Sequence, residues 1–406
     1  MKTLIKRITG REILNAKGNP TVEVEVETTT GEISVASVPS GTSTGSYEAF
    51  VLNDGGSRYE GKGTRSAASH VSKEIHEALI GKSVDDLARL DRIMIELDGT
   101  ENKSRLGANA ILPVSVAIAK VRALSQRKPL YRSLVEKDTY RVPNVIATMI
   151  AGGAFSTSGL EFEDYLYIFD GFDKFEYQME AIVAVRKQLE KRLKAKYGDV
   201  LEDGGALAPP LHSSSEAFEF MLSAAKDCGI EGHITLGLDV AASELFDGSC
   251  QLYRVNGGLS REDLCDYYCK LAKDYPLTYL EDGFGEDDII GFDLLMKRLP
   301  NIQIVGDDLF TSNLSRMQKY HRSANGLLLK INQIGTVSEA LDAAKFSEEK
   351  GIDVTVSLRS GETTDDFIAD LSVAVSSRQI KLGSPVRAER NVKYNRLLRI
   401  ASELEE

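Results

Sequence analysis

Six strand-like runs in the second half of the chain end in, or run straight into, charged residues at nearly even spacing, and this pattern limits the fold more than any other feature. Five are residues 234–239 (ITLGLD), Leu277–Glu281 (LTYLE), 302–307 (IQIVGD), 327–330 (LLLK) and Gln379–Lys381 (QIK). The sixth, Asp353–Ser357 (DVTVS), continues into Leu358, Arg359 and Ser360. One apolar run with a terminal charge is unremarkable. Repeated with helical segments between, it describes parallel strands whose C-terminal ends converge on one polar mouth, the active-site face of a β/α barrel. The fold class is therefore α/β. The strand ends supply three carboxylates, a lysine, an arginine with a serine, and a second lysine. Such a set suits a magnesium-bound acidic substrate and removal of the proton next to its carboxylate.

A chain of 406 residues accommodates that barrel and a smaller partner domain. A formal charge of −12 argues against a general nucleic-acid or membrane-surface binder, because both need a basic face. The first residues (MKTLIKRI) are too short and too interrupted for a signal peptide. The longest apolar stretch, 108–121, contains Pro113 and falls short of the roughly 20 residues of a membrane span. Cys228, Cys250, Cys265 and Cys269 have no CxxC spacing and read as free thiols, which points to a cytoplasmic, reducing location.

Residues 21–27 (TVEVEVE) and 32–38 (EISVASV) alternate apolar and polar positions, with turn signals at Gly18-Asn19-Pro20 and Thr30-Gly31, so a small antiparallel meander is expected. Helical periodicity follows over 66–80, 85–97 and 108–127. Strands followed by helices make residues 1–130 an N-terminal α+β domain. Residues 140–406 carry the barrel. Long helices are expected over 174–197 and 214–227, and shorter ones over 336–350 and 365–377; Thr336 and Glu339 have capping-box spacing. Residues 40–45 (SGTSTG) suit a lid, residues 152–159 (GGAFSTSG) precede an acidic strand at 161–167, and residues 202–210 (EDGGALAPP) form a turn with two carboxylates. None fits a phosphate-loop or dinucleotide pattern.

Asp239, Glu281 and Asp307 end successive strands, and hard oxygen ligands from separate elements suit Mg²⁺. The five histidines (His70, His76, His212, His233 and His321) occupy none of these ends. Lys330 ends the next strand. Beside divalent cations its ammonium is disfavoured, so its pKa is expected to fall and its amine to act as a base. Metal ions are needed because a proton alpha to a carboxylate is very weakly acidic. A lysine base with Mg²⁺ is the pattern general to enolase-superfamily sites. Arg359 with Ser360 forms a phosphate clamp, and Lys381 is left for the substrate carboxylate.

These residues sit in longer motifs that together resemble the enolase family over almost the whole chain. The motifs are GNPTVEVEV (18–26), PSGTSTGSYEA (39–49), DGTENKSRLGANAIL (98–112), LDVAASE (238–244), VGDDL (305–309), LLLKINQIG (327–335), RSGET (359–363) and QIKLGSP…RAER…KYNRLLRI. The resemblance implies an enolase-type β/α barrel with an N-terminal α+β capping domain, a cytoplasmic homodimer, and Mg²⁺-dependent interconversion of 2-phosphoglycerate and phosphoenolpyruvate. It places a first magnesium on Asp239, Glu281 and Asp307, and has Ser43 on the lid reach a second that arrives with substrate. Lys330 is then the base, Lys381 the carboxylate contact, and Arg359 with Ser360 the phosphate contacts.

Departures from the family pattern cluster at one end of the site. Phe155 stands where the lid histidine is expected, and Glu163–Asp164 replace a glutamine–glutamate pair. Asp203 takes the place of the acid-donating glutamate before a Gly-Gly turn, and Leu358 that of the histidine before the phosphate arginine. Smaller changes are Gly283 after Glu281-Asp282, Asn53 near the lid and Asn15-Ala16-Lys17 near the start. All the large changes touch the end that handles the 3-hydroxyl leaving group. They suggest a redirected lyase or transferase on a small phospho- or phosphono-carboxylate, of the carboxyphosphonoenolpyruvate synthase kind. An ordinary enolase that tolerates the changes, and a non-catalytic binding protein, are the alternatives.

Overall fold

Alternation in the first 40 residues produces a three-stranded antiparallel sheet, β1 (Ile5–Leu14), β2 (Pro20–Thr28) and β3 (Ile33–Ser37), paired in that order. The computed structural model of the protein describes residues 2–41, 45–153 and 156–405. On β2, Val22, Val24 and Val26 are buried, while Glu23, Glu25 and Glu27 face the other way and pair with Lys6, Arg7 and Arg11 of β1. The apolar face packs on the helix Ala108–Gln126, whose Ala117 carbonyl accepts a 2.7 Å hydrogen bond from Ser34. That helix runs further than the apolar stretch in the sequence and is long and apolar enough to cross a membrane. Its most apolar window is 78% buried in the protein, so it serves here as the core of the N-terminal half.

Eight strands close the barrel: β4 (Asn144–Ala151), β5 (Asp164–Phe169), β8 (Thr235–Asp239), β11 (Leu277–Glu281), β12 (Gln303–Gly306), β13 (Gly326–Leu329), β14 (Asp353–Ser357) and β15 (Gln379–Lys381), with β15 pairing back onto β4. A hairpin of β6 (Leu201–Asp203) and β7 (Ala206–Ala208) extends β4, and a short ribbon of β9 (Phe246–Asp247) and β10 (Leu252–Tyr253) lies between β8 and β11 in sequence. Inside the barrel Ile146, Leu166, Ile168, Tyr279, Val305 and Leu328 form a sealed layer beneath the mouth.

One strand departs from the all-parallel expectation. β5 runs antiparallel to both β4 and β8. Among the described residues no helix lies between β4 and β5, and a parallel return needs a crossover. Reversal puts the first residue of β5, Asp164, at the same mouth as the last residue of β8, Asp239, and the two are register partners. The acidic strand read at 161–167 thus starts later, and its leading acids belong to the mouth.

Helix starts follow the capping rules. Ser213, Ser260 and Thr336 each accept the N–H of the residue three further on. Thr336 also donates to Glu339 Oε2 at 2.6 Å, completing the local box that the spacing predicts. The two halves are tied by Asp91 of helix Leu87–Asp98, which accepts from the backbone N–H (3.0 Å) and hydroxyl (2.7 Å) of Ser338 at the start of the barrel helix Val337–Lys350.

Candidate active site

Glu281 and Asp239 are register partners at the ends of β11 and β8, and Ser357 and Lys381 at the ends of β14 and β15. Parallel pairing therefore sets three of the expected groups, Asp239, Glu281 and Lys381, at the ends of their strands on one face. Lys381 Nζ lies 2.6 Å from Asp239 Oδ2, 2.8 Å from Glu281 Oε2 and 3.8 Å from Asp164 Oδ2. Lys330, directly after β13, pairs with Asp307, directly after β12, and Gln333 Nε2 holds the other Asp307 oxygen at 2.7 Å. Tyr279 donates to Glu281 Oε2 at 2.7 Å. Arg359 is gripped by Glu48 of the N-terminal half, 3.0 Å from Nη1 to Oε2 and 3.1 Å from Nη2 to Oε1.

Several of these side chains, Asp164, Asp239, Lys330, Arg359 and Lys381, line a chamber of about 110 Å³, a size for a three-carbon acid rather than a nucleotide. Asp239, Lys330, Leu358, Arg359, Ser360 and Lys381 line it, as do Glu163, Asp164, Asp203 and Arg390. Asp203 precedes Gly204 and Gly205, whose φ values of +54° and +93° make a two-residue hairpin turn. Buried Arg186 fixes that turn by bonding the Gly205 carbonyl at 3.1 Å and Glu202 at 2.8 Å. Ser43 and Phe155 lie outside the described residues. Among the described residues lining the chamber there is no histidine.

Charge in the chamber is unevenly balanced. Burial pushes Glu281 well above the usual carboxylate range, and nearby Asp239 adds to the effect. Burial also raises Glu163 to about 8, with Asp239 and Asp164 contributing, and raises Asp164 to about 6 against the pull of Lys381. Asp239 is held low: burial opposes ionisation, but the Lys381 ammonium outweighs it. Lys330 differs from expectation. Burial lowers it, yet Asp307 and Glu281 with the other nearby groups more than compensate, and its pKa stands above the ordinary lysine value. The sequence reading assumed cations beside Lys330; in the protein alone its nearest charge is an anion.

Asp239, Glu281 and Asp307 fit a hard divalent cation. Carboxylates stand at three strand ends, and burial, with Asp239 beside it, raises Glu281 against the pull of Lys381, so a further positive charge there would be favoured. A tighter acidic group, Asp282, Asp307 and Asp308, lies beside them. Asp282 already accepts the N–H groups of Asp307 (2.9 Å) and Asp308 (2.8 Å), so its oxygens hold the backbone turn after β12. We assign it that local role.

Sequence reasoning gave no role to Arg390, Glu48 or Gln333. All three sit in or beside motifs quoted for the resemblance, but nothing in one dimension links Glu48 to Arg359 or Arg390 to the Asp203 turn.

A closed β/α barrel with lysines, an arginine and acidic strand ends at its mouth, capped by an N-terminal α+β half, defines a lyase of the enolase superfamily. Residues 139–406 match the family model "Enolase, C-terminal TIM barrel domain", and residues 5–134 match "Enolase, N-terminal domain". The enolase of Methanocaldococcus jannaschii is 45% identical over 98% of this chain and 95% of its own length. Those of Pyrococcus furiosus and Thermococcus kodakarensis are each 44% identical, over 98% and 99% of this chain and 94% and 95% of their own lengths. The chain belongs to the enolase family, whose members are hydro-lyases. The comparisons lend nothing to a redirected phosphono-carboxylate chemistry; the relatives matched across the full length are named enolase, and that reading is set aside.

Proposed function

We propose that the protein interconverts 2-phosphoglycerate and phosphoenolpyruvate, as an ordinary enolase working with a rebuilt leaving-group end. The observation that carries this reading is the gathering of Lys330, Lys381, Arg359 and Asp239 around one small chamber, with Glu281 paired to Lys381 and Asp307 to Lys330 behind them. In this reading Arg359 and Ser360 receive the phosphate, and Lys381 receives the carboxylate. Lys330 Nζ takes the C2 proton. The electron pair left at C2 forms the C2–C3 double bond as the C3–O bond breaks, and the departing hydroxide gains a proton from Asp203 to leave as water. Asp164, which shares the Lys381 ammonium with Asp239 and Glu281, assists in holding that lysine in place. Glu163, buried toward its neutral form, is a hydrogen-bond donor to the substrate. Leu358 supplies apolar wall where the family places a histidine; the roles of Phe155 and Ser43 rest on the resemblance alone.

Asp239, Glu281 and Asp307 would hold Mg²⁺, and a second ion would arrive with substrate; bound there, the metal would supply positive charge that acidifies the C2 proton and disfavours the ammonium of Lys330. A cytoplasmic homodimer is part of the same proposal. The experiment is a steady-state assay of phosphoenolpyruvate formation from 2-phosphoglycerate with Mg²⁺. Turnover supports the reading. Tight binding of 2-phosphoglycerate with no product would instead favour a binding protein, and no binding would end the proposal.

A further inference from the structure

Arg390 stands in the first turn of the helix Ala388–Glu405 and is only 7% exposed, with Asp164 near enough to feel its charge. Its Nε is buried without a hydrogen-bond partner, and among the described residues no carboxylate forms an ion pair with it. A buried guanidinium short of hydrogen bonds is costly, and a ligand that accepts from it removes that cost. The surroundings are built around the group. Gly204, at φ +54°, and Gly383, at φ +68°, flank it, and a Cβ on Gly204 would lie 2.5 Å from Nη2; one on Gly383 would collide with Nη1. Arg390 lines the chamber together with Asp203 and Leu358, and its guanidinium lies against Gly204, the residue that follows Asp203.

We infer that Arg390 is a substrate-contacting residue that donates a charge-assisted hydrogen bond to the C3 oxygen. This rests on the reading of the chamber as a 2-phosphoglycerate site. Phosphate and carboxylate are accounted for by Arg359, Ser360 and Lys381, so the remaining polar group of that substrate is the C3 hydroxyl. Its oxygen gains negative charge as the C3–O bond breaks, and a fixed guanidinium stabilises that charge more than it stabilises the ground state. Arg390 transfers no proton; Asp203 remains the acid. The cation thus supplies electrostatic help in a chamber where Leu358 offers no donor.

The test compares binding of 2-phosphoglycerate with binding of 2-phospholactate, the same acid without the C3 hydroxyl. Titration calorimetry is run with Mg²⁺ on the full chain carrying Lys330→Ala, so that neither ligand is consumed. The parent is expected to prefer 2-phosphoglycerate by about tenfold or more, as a buried donor left unanswered rejects the deoxy analogue. Arg390→Met should abolish the preference while holding 2-phospholactate within about threefold, and Arg390→Lys should give an intermediate preference. Should the methionine variant fail to fold, the lysine variant decides: an undiminished preference in it overturns the inference. An equal preference in parent and Arg390→Met overturns it too, as does failure of both ligands to bind. Phosphoenolpyruvate formation by the unaltered protein is measured alongside. If the unaltered protein makes none but Arg390 still sets the preference, the functional reading falls and this contact stands.

Discussion

Glu48, on the N-terminal half, holds both terminal nitrogens of Arg359, 311 positions away at the end of β14, with oxygens 3.0 and 3.1 Å distant. Both side chains are nearly sealed from solvent. Burial disfavours the guanidinium charge, and Glu48 more than restores it. Removing one partner of such a pair leaves an uncompensated buried charge, a loss of about 3–5 kcal/mol. Glu48→Gln is therefore expected to lower unfolding stability by roughly 3 kcal/mol in urea titrations. Inorganic phosphate should raise the melting temperature of Glu48→Gln more than that of the unaltered protein, because it answers the freed guanidinium.

Lys330→Ala should reduce C2 proton exchange of 2-phosphoglycerate in D₂O by on the order of 10²–10⁴-fold, the usual contribution of a positioned general base. Magnesium affinity, read by calorimetry, should not fall, since the ammonium that pairs with Asp307 competes with a cation for that carboxylate. A parallel loss of metal binding and exchange would place Lys330 among structural groups instead.

Shortening glutamate to aspartate withdraws the acid at position 203 by about 1 Å, a displacement that can cost on the order of 10²-fold in rate. Asp203→Glu with Leu358→His is expected to speed phosphoenolpyruvate formation by about tenfold or more and leave the C2 exchange rate within a factor of about three. Progress curves followed by ultraviolet absorbance, with exchange followed by NMR, read the two separately.

Asp91 gives a pH dependence remote from the chemistry. Burial raises its carboxyl from 3.8 to about 6 against the hydrogen bonds of Ser115 and Ser338, and Glu339, itself paired with Lys103 at 3.0 Å, pushes the same way. The folded state thus binds its proton more tightly than the unfolded chain. This favourable contribution is complete below pH ~4 and is lost as pH rises through ~6, a change of about 3 kcal/mol at most. Asp91→Asn keeps an acceptor for Ser338 but cannot ionise. The gain in stability of Asp91→Asn over the unaltered protein should be larger at pH 8 than at pH 5, by urea unfolding.

Much of this was legible in the sequence because barrels repeat. A charge at the end of each strand marks a mouth wherever the strands run parallel, so Asp239, Glu281, Asp307, Lys330 and Lys381 converge as read. The helix start at Thr336 was legible for a similar reason, since its cap is local. The direction of β5 was not, because alternation looks the same either way along the chain; only the lack of a crossover helix after β4 hinted at it. The state of Lys330 was not legible either, as it depends on whether Asp307 or a cation stands nearer. Arg390 could be quoted in a motif, but the want of a hydrogen-bond partner at its Nε is a property of three-dimensional neighbours.

The central claim is that Lys330 and the carboxylates around it remove the C2 proton of 2-phosphoglycerate on the way to phosphoenolpyruvate. Incubation of the protein with Mg²⁺ and 2-phosphoglycerate in D₂O, followed by proton NMR, measures that step directly. Loss of the C2 proton signal together with appearance of phosphoenolpyruvate, both abolished by chelation of the metal, is the predicted result. An unchanged C2 signal in substrate that is demonstrably bound would contradict it.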